Sequence, residues 1–214
     1  MPQSAQSSER RLEIIDATFR VLMDVGLPPL SFDAIAKEAG VSRQVVRYHF
    51  KDHEHLMVAL LDQMAARYRE TMINGVIDAK GSERIELFLD FYFDILEGMP
   101  KPRDDQAYDA LMALSVNSPI IRSTMQNQYS FLGQVLSHEF ELEHPQIGSQ
   151  KANELSFLFA NLMYGHWKMV ATLGLHEDHK YVTRLAMERL IDSYVNDHLP
   201  MCDPIKIWSH DTEK

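Results

Sequence analysis

The sequence predicts an all-α protein: an N-terminal three-helix unit of the helix-turn-helix kind joined to a larger helical domain, about nine helices in total. Three observations predict it. Apolar residues recur at intervals of three and four in nearly every segment, and no alternating strand pattern appears. Residues 31–50 read as two short helices around a tight turn. Hydrophobic residues make up 45% of the 214, enough for a small domain plus a medium one.

Residues 1–8 are mostly Ser, Gln and Ala without pattern and are expected to be disordered. A first helix is expected from about Ser8 to Asp24, with Leu12, Ile15, Phe19, Leu22 and Met23 on one stripe and Gly26-Leu27-Pro28-Pro29 ending it. Its role is core support, with Arg10 and Arg11 near enough to the start to reach phosphate. Ser31 is an N-cap for the second helix, and Asp33 suits its positive first turn. Ile35, Ala36 and Ala39 follow at helical spacing, and small Ala36 permits close helix crossing. Gly40 allows the positive φ that ends a helix. Ser42 caps the next helix, whose Val45 and Val46 form an apolar edge. Its outer face carries Arg43, Gln44, Arg47, Tyr48 and Lys51, and no acid lies between positions 41 and 51. Such a face suits phosphates and base edges.

The residues Ala36-Lys37-Glu38-Ala39-Gly40-Val41-Ser42, then Tyr48-His49-Phe50, then Glu54 and Leu56, resemble the TetR family of transcriptional regulators. The resemblance covers residues 8–68. Beyond them it is one of length and helical pattern. It implies a DNA-binding domain over 8–68 with its motif at 31–50, a helical effector-binding and dimerisation domain over 69–200, and an irregular tail over 201–214. Gln44, Arg47 and His53 stand where many members carry a small residue, Tyr and Lys, and these departures bear on the operator sequence. Arg43 and Gln44 are expected at base edges, since Arg can chelate guanine and Gln adenine. Arg47 suits either task. Tyr48, Lys51 and His53 are expected at phosphates, and Ser42 and His49 of the same motif complete the DNA-binding set.

Asp52 caps a helix from about His53 to Ile77, with Leu56, Leu60, Met64 and Tyr68 recurring at four. With no linker in it, this helix belongs to both domains. Gly81-Ser82 opens a helix to about Gly98 bearing Ile85, Phe88, Leu89, Tyr92, Phe93 and Leu96. Residues 99–105 are a loop. A short helix is expected from about Gln106 to Val116. Ser118-Pro119 opens another to about His144, with Met125, Tyr129, Leu132 and Leu136 on one face. The helix from about Ser149 to Leu173 is apolar nearly all round, so it is expected to be buried on two sides, against its own domain and against a second copy. A last helix, about Asp178 to Asp197, carries Val182, Leu185, Ala186, Leu190 and Tyr194. Phe157, Leu158, Leu185 and Leu190 are the expected dimer contacts. Tyr92, Tyr108, Met112, Tyr129, Tyr164 and His166 are polar-tipped or adaptable residues among apolar neighbours, and are the expected lining of an effector pocket.

Composition bounds the rest. The net charge is −10, yet residues 1–56 carry seven Lys/Arg against eight Asp/Glu and the remainder fourteen against twenty-three. DNA would therefore be held by a few placed contacts and not by a general basic field. One cysteine, Cys202, excludes a disulfide framework and suits a reducing cytoplasm. Residues 1–10 are polar and no run approaches 18 apolar residues, so neither secretion nor a membrane is expected. His53-x-His55 and His176-x-x-His179 lack the spacing of a zinc site, no Gly-rich phosphate loop or Gly-x-Ser-x-Gly occurs, and no metal, cofactor or catalytic activity is expected. Two readings follow: a ligand-responsive homodimeric repressor of a pseudopalindromic operator, or a helical protein-interaction module with a degenerate helix-turn-helix. The acid-free face of Arg43, Arg47 and Lys51 favours the first.

Overall fold

A computed structural model describes residues 2–27, 30–78, 84–98, 101–196 and 207–208, the side chains of 2–5, 25 and 74–78 excepted. Pro28-Pro29, Gly81-Ser82, Met99-Pro100, Cys202 and most of the tail lie outside them. Among the described residues every regular element is a helix: α1 Pro2–Val25, α2 Phe32–Glu38, α3 Arg43–His49, α4 His53–Asp78, α5 Arg84–Tyr92, α6 Asp105–Ser115, α7 Pro119–Glu143, α8 Gly148–Trp167 and α9 His179–Asn196, with a π-helical turn Lys168–Thr172 after α8. None is long and apolar enough to cross a membrane. The chain forms two compact units, residues 1–68 with 104–125, and residues 69–103 with 126–214. Two of the three boundaries fall inside α4 and α7, and the third lies between Arg103 and Asp104, ahead of α6.

In the first unit α1 begins at Pro2, so the segment expected to be disordered is the first turns of a helix. Among the described side chains α1 enters the core at Ile14, Ile15, Ala17, Thr18, Val21 and Leu22, and the Thr18 hydroxyl is satisfied by the Ile14 carbonyl at 2.8 Å. Phe32, Ile35 and Ala36 of α2, Val46 of α3 and Leu56, Met57, Leu60 and Leu61 of α4 complete that core. Burying side chains of this kind stabilises by about 1.5–3 kcal/mol each. Ion pairs fix the edges. Arg20 of α1 donates to Glu38 at 2.6 Å, and Arg67 and Gln63 of α4 donate to Asp16 at 2.6 and 2.7 Å. The loop ahead of α6 joins this unit through Tyr68, whose hydroxyl donates to buried Asp104 at 2.8 Å.

The second unit has an aromatic core. Phe91, Phe93, Phe140 and Phe159 are fully buried. The sequence led us to expect α5 to run to about Gly98, but it ends at Tyr92. Asp94 takes φ 56°, and the amides of Ile95 and Leu96 both turn back to the Asp90 carbonyl at 2.8 and 3.2 Å. The Asp94 carboxylate compensates by accepting from the Lys101 amide at 3.0 Å and from Arg103 at 2.7 Å. The helix expected over 149–173 likewise ends as an α-helix at Trp167; the amide of Leu173 reaches the carbonyl of Lys168 at 3.1 Å, one residue further than in an α-turn.

α9 turns a charged residue inward. Arg184 is 7% exposed and donates to Glu86 and to Asp90 (2.8 Å) of α5 and to Glu188 (2.8 Å) of its own helix. Met187 is the apolar residue buried beside it. Val182 and Leu185, from the expected apolar stripe, are 67% and 48% exposed.

Candidate nucleic-acid interface

The turn between α2 and α3 is set by short-range chemistry. Ser31 Oγ accepts from the Ala34 amide at 3.2 Å, and Ser42 Oγ from the Val45 amide at 3.3 Å. Between them Gly40 takes φ +65°, and the Val41 amide reaches back to the Ala36 carbonyl at 2.9 Å. Val46, fully buried, then pins α3 to the core and leaves its opposite face outside. Ser42, Arg43, Gln44, Arg47, Tyr48 and Lys51 are all exposed, Tyr48 at 81%. At the start of α4, Asp52 accepts from the His55 amide at 3.0 Å and from the His55 ring at 2.7 Å, and these bonds hold its carboxyl below the usual carboxylate range.

The exposed face borders a groove of about 1020 Å³. Arg43, Arg47, Tyr48, His49, Lys51 and His53 line it, as does Arg11 of α1. Gln44 lies on the exposed face outside it. Arg11 sits over the Phe50 ring at 5.0 Å, a cation–π contact that leaves its charge beside the end of α3. Burial, then the charges of Arg11 and Arg10, push the His49 imidazole below its ordinary pKa. His53 stacks on Phe32 at 4.3 Å, and burial lowers it too, against the pull of Asp52. Three acids share the groove with these cations, Asp33, Asp52 and Asp62, and Asp33 of α2 accepts from Arg43 Nη1 at 3.1 Å. The sequence assigned Asp33 only to the first turn of its helix, and the ion pair with a residue ten places on went unread.

The expected effector residues fall into two groups. Tyr92 and His166 belong to the second unit's aromatic core. Tyr92 meets Phe159 edge-on at 5.6 Å, Phe159 meets Phe93 at 5.7 Å, and Phe93 meets His166 at 5.9 Å. His166 is buried, with Thr183 Oγ1 3.2 Å from its Nδ1. Burial, with Tyr129 adding to it, pushes the Tyr92 hydroxyl far above its ordinary pKa. Tyr129 and Tyr164 are half-buried, and Lys168 lies 4.9 Å over the Tyr164 ring. Tyr108 and Met112 lie on α6 in the first unit, Tyr108 edge-on to Tyr68 at 6.3 Å. Trp167 is not marked as a site residue by sequence pattern. It is buried, its Nε1 donates to the Tyr92 carbonyl at 2.9 Å, and the Lys101 ammonium sits 4.1 Å over its ring. No group of three or more His, Cys, Asp or Glu among the described residues is placed to hold a metal ion.

An exposed, acid-free recognition helix at the edge of a groove that gathers Arg11, Arg43, Arg47 and Lys51 defines a helix-turn-helix DNA-binding protein. Comparison with known proteins agrees. The pattern of the bacterial regulatory proteins, tetR family, matches residues 14–60. The HTH-type transcriptional regulator BetI of Klebsiella pneumoniae is 27% identical over 203 residues, 94% of this chain and 99% of that protein. In fold, a TetR transcription regulator of Haloarcula marismortui aligns at TM-score 0.74 with 18% identity, covering 87% of this chain and 98% of its own. A protein of Saccharomonospora viridis solved in complex with choline aligns at TM-score 0.72 with 21% identity, covering 86% and 96%. Residues 14–60 thus carry the tetR-family pattern, and the chain is a DNA-binding transcriptional regulator similar over 94% of its length to BetI.

Proposed function

We propose that the chain is a repressor that binds a pseudopalindromic operator as a homodimer and is released by a small molecule. The observation that carries the DNA half is the acid-free outer face of α3. Arg43 and Gln44 read base edges, Arg47 reads either bases or phosphates, and Tyr48, Lys51 and His53 hold phosphates, with Ser42 and His49 beside them.

The dimer half is supported by α8 and α9, which pack on each other. Phe157, Val182 and Leu185 are large, apolar and exposed, while Leu158 and Leu190 are half-buried. A helix that buries Arg184 and exposes Leu185 is apolar on the side that its own unit leaves open. A second copy covers it, through Phe157, Leu158, Leu185 and Leu190.

For the effector, the second unit supplies Tyr92, Tyr129, Tyr164 and His166. Tyr108 and Met112, near Tyr68, form a separate group of candidates in the first unit. An organic cation suits the second unit. The face of Trp167 already holds the Lys101 ammonium at 4.1 Å, and a structural neighbour binds choline. α4 and α7 each run without a break from one unit into the other, so repacking in the second is passed on along a continuous helix. Coupling of this kind is reciprocal. The test is a titration of operator DNA with and without choline chloride. The reading expects choline to weaken operator binding, and operator to weaken choline binding by the same factor. Equal operator affinity in both would remove the organic cation as effector.

A further inference from the structure

The indole of Trp208 lies in a site shaped for it between α7 and α8. Its ring rests on the backbone of Gly133, where a β-carbon would come within 2.0 Å of the ring. Glycine is unfavourable inside a helix, so its presence in mid-α7 is explained by the ring it admits. The indole Nε1 donates to Ser156 Oγ of α8 at 2.8 Å. Ser156 is fully buried, its hydroxyl donates to the Asn153 carbonyl at 2.8 Å, and Ser137 Oγ of α7 lies 2.9 Å from it. With the indole N–H and Ser137 as donors, the Ser156 hydroxyl fills its one donor and two acceptor positions. Phe157 meets the indole edge-on at 5.7 Å.

We infer that this socket anchors the C-terminal segment, and that docked Trp208 completes the surface that α8 presents to a second copy of the chain. The inference rests on the homodimer proposed above. Phe157 remains 45% exposed with the indole against it, and Trp208 is itself half-buried. An aromatic pair, held rigid by a hydrogen bond and a glycine contact, thus stands at the surface of α8, the helix that packs on α9. Rigid aromatic anchors dominate the energetics of interfaces. The socket also explains why α7 carries Gly133 and Ser137 on the side that faces Ser156.

The chain has two tryptophans, so protein labelled with 5-fluorotryptophan gives two fluorine resonances, and Trp208→Phe assigns one of them. Gly133→Val is expected to move the Trp208 resonance to its solvent-exposed position. Ser156→Ala, which leaves α7 untouched, is expected to shift it in a folded protein. In sedimentation equilibrium, Trp208→Ala and truncation after residue 206 are each expected to raise the dimer dissociation constant by at least about tenfold. A Trp208 resonance unmoved by both socket variants overturns the anchor. A dimer constant unchanged by truncation overturns the interface role. If the full chain stays monomeric while its Trp208 resonance remains buried, the homodimer reading fails and takes the interface role with it, and the docked resonance shows that the anchor itself held.

Discussion

Arg43 Nη1 donates to the Asp33 carboxylate at 3.1 Å, so the first cation of the recognition helix is held by the helix before it. Both side chains are more than half exposed, and such a pair contributes only about 0–1 kcal/mol. A phosphate or a guanine edge can therefore take Asp33's place. Arg43→Ala should cost about 1–3 kcal/mol of operator affinity and relax preference at one base position. Asp33→Asn should tighten binding to every duplex, because it removes a negative charge from the rim. Anisotropy titrations against single-base operator variants check both. Unchanged preference in Arg43→Ala would put the base contact elsewhere.

Lys51 lies one residue past the α3 C-cap, exposed on the groove. Lys51→Ala should weaken all sequences alike and reduce the log–log salt slope by about 0.9, the value for one lost phosphate contact. A sequence-dependent loss would contradict this assignment.

Acid should destabilise the first unit through its histidines. The folded pKa values of His49 and His53 lie below the ordinary 6.5, through burial first and, at His49, the charges of Arg11 and Arg10. Below that value the unfolded chain binds protons that the folded chain resists, so stability rises with pH through this window. Their contribution is fully present well above pH 6.5 and diminishes as pH falls through and below it. Glu143, whose carboxyl burial raises, acts in the opposite sense, so the comparison must be between variants. Melting temperatures of the wild type should fall more steeply below pH 6.5 than those of His49→Gln. Parallel curves would show that His49 does not take part.

Arg184 is the buried member of its network; Glu86, Asp90 and Glu188 are one-third to one-half exposed. The two ways of breaking it therefore differ. Arg184→Met leaves three carboxylates that water can reach, and should cost roughly 1–2 kcal/mol. The double variant Glu86→Ala, Asp90→Ala leaves a buried guanidinium short of partners and should cost about 3–5 kcal/mol. Urea unfolding at fixed chain concentration gives the order, and the reverse order would show that Arg184 is solvated.

What the sequence made legible was chemistry confined to a few residues. Ser31, Ser42 and Asp52 each accept from an amide three residues on, and Gly40 takes its positive φ locally, so the whole helix-turn-helix could be placed by inspection. What it hid depended on distant partners. Arg184 reads as a solvent-facing charge until Glu86 and Asp90, more than 90 residues earlier, are brought to it. The end of α5 at Tyr92 depends on Asp94 accepting from Lys101 and Arg103 across a loop. Polar tips among apolar neighbours mark Tyr92 and His166 in the sequence as candidates but pass over Trp167, whose partners Lys101 and the Tyr92 carbonyl come from other segments. Trp208 lies in a stretch without periodicity, and neither Gly133 nor Ser156 points to it alone.

The central claim is sequence-specific recognition of a two-fold DNA site by the exposed face of α3. Selection from a pool of random duplexes by the full chain, followed by sequencing of the bound fraction, tests it most directly. The account predicts enrichment of one pseudopalindrome, with half-sites separated by about 34–36 Å, one helical turn, or a multiple of it. It also predicts that Arg43→Ala enriches a site degenerate at one position in each half. A bound pool as random as the input would contradict it.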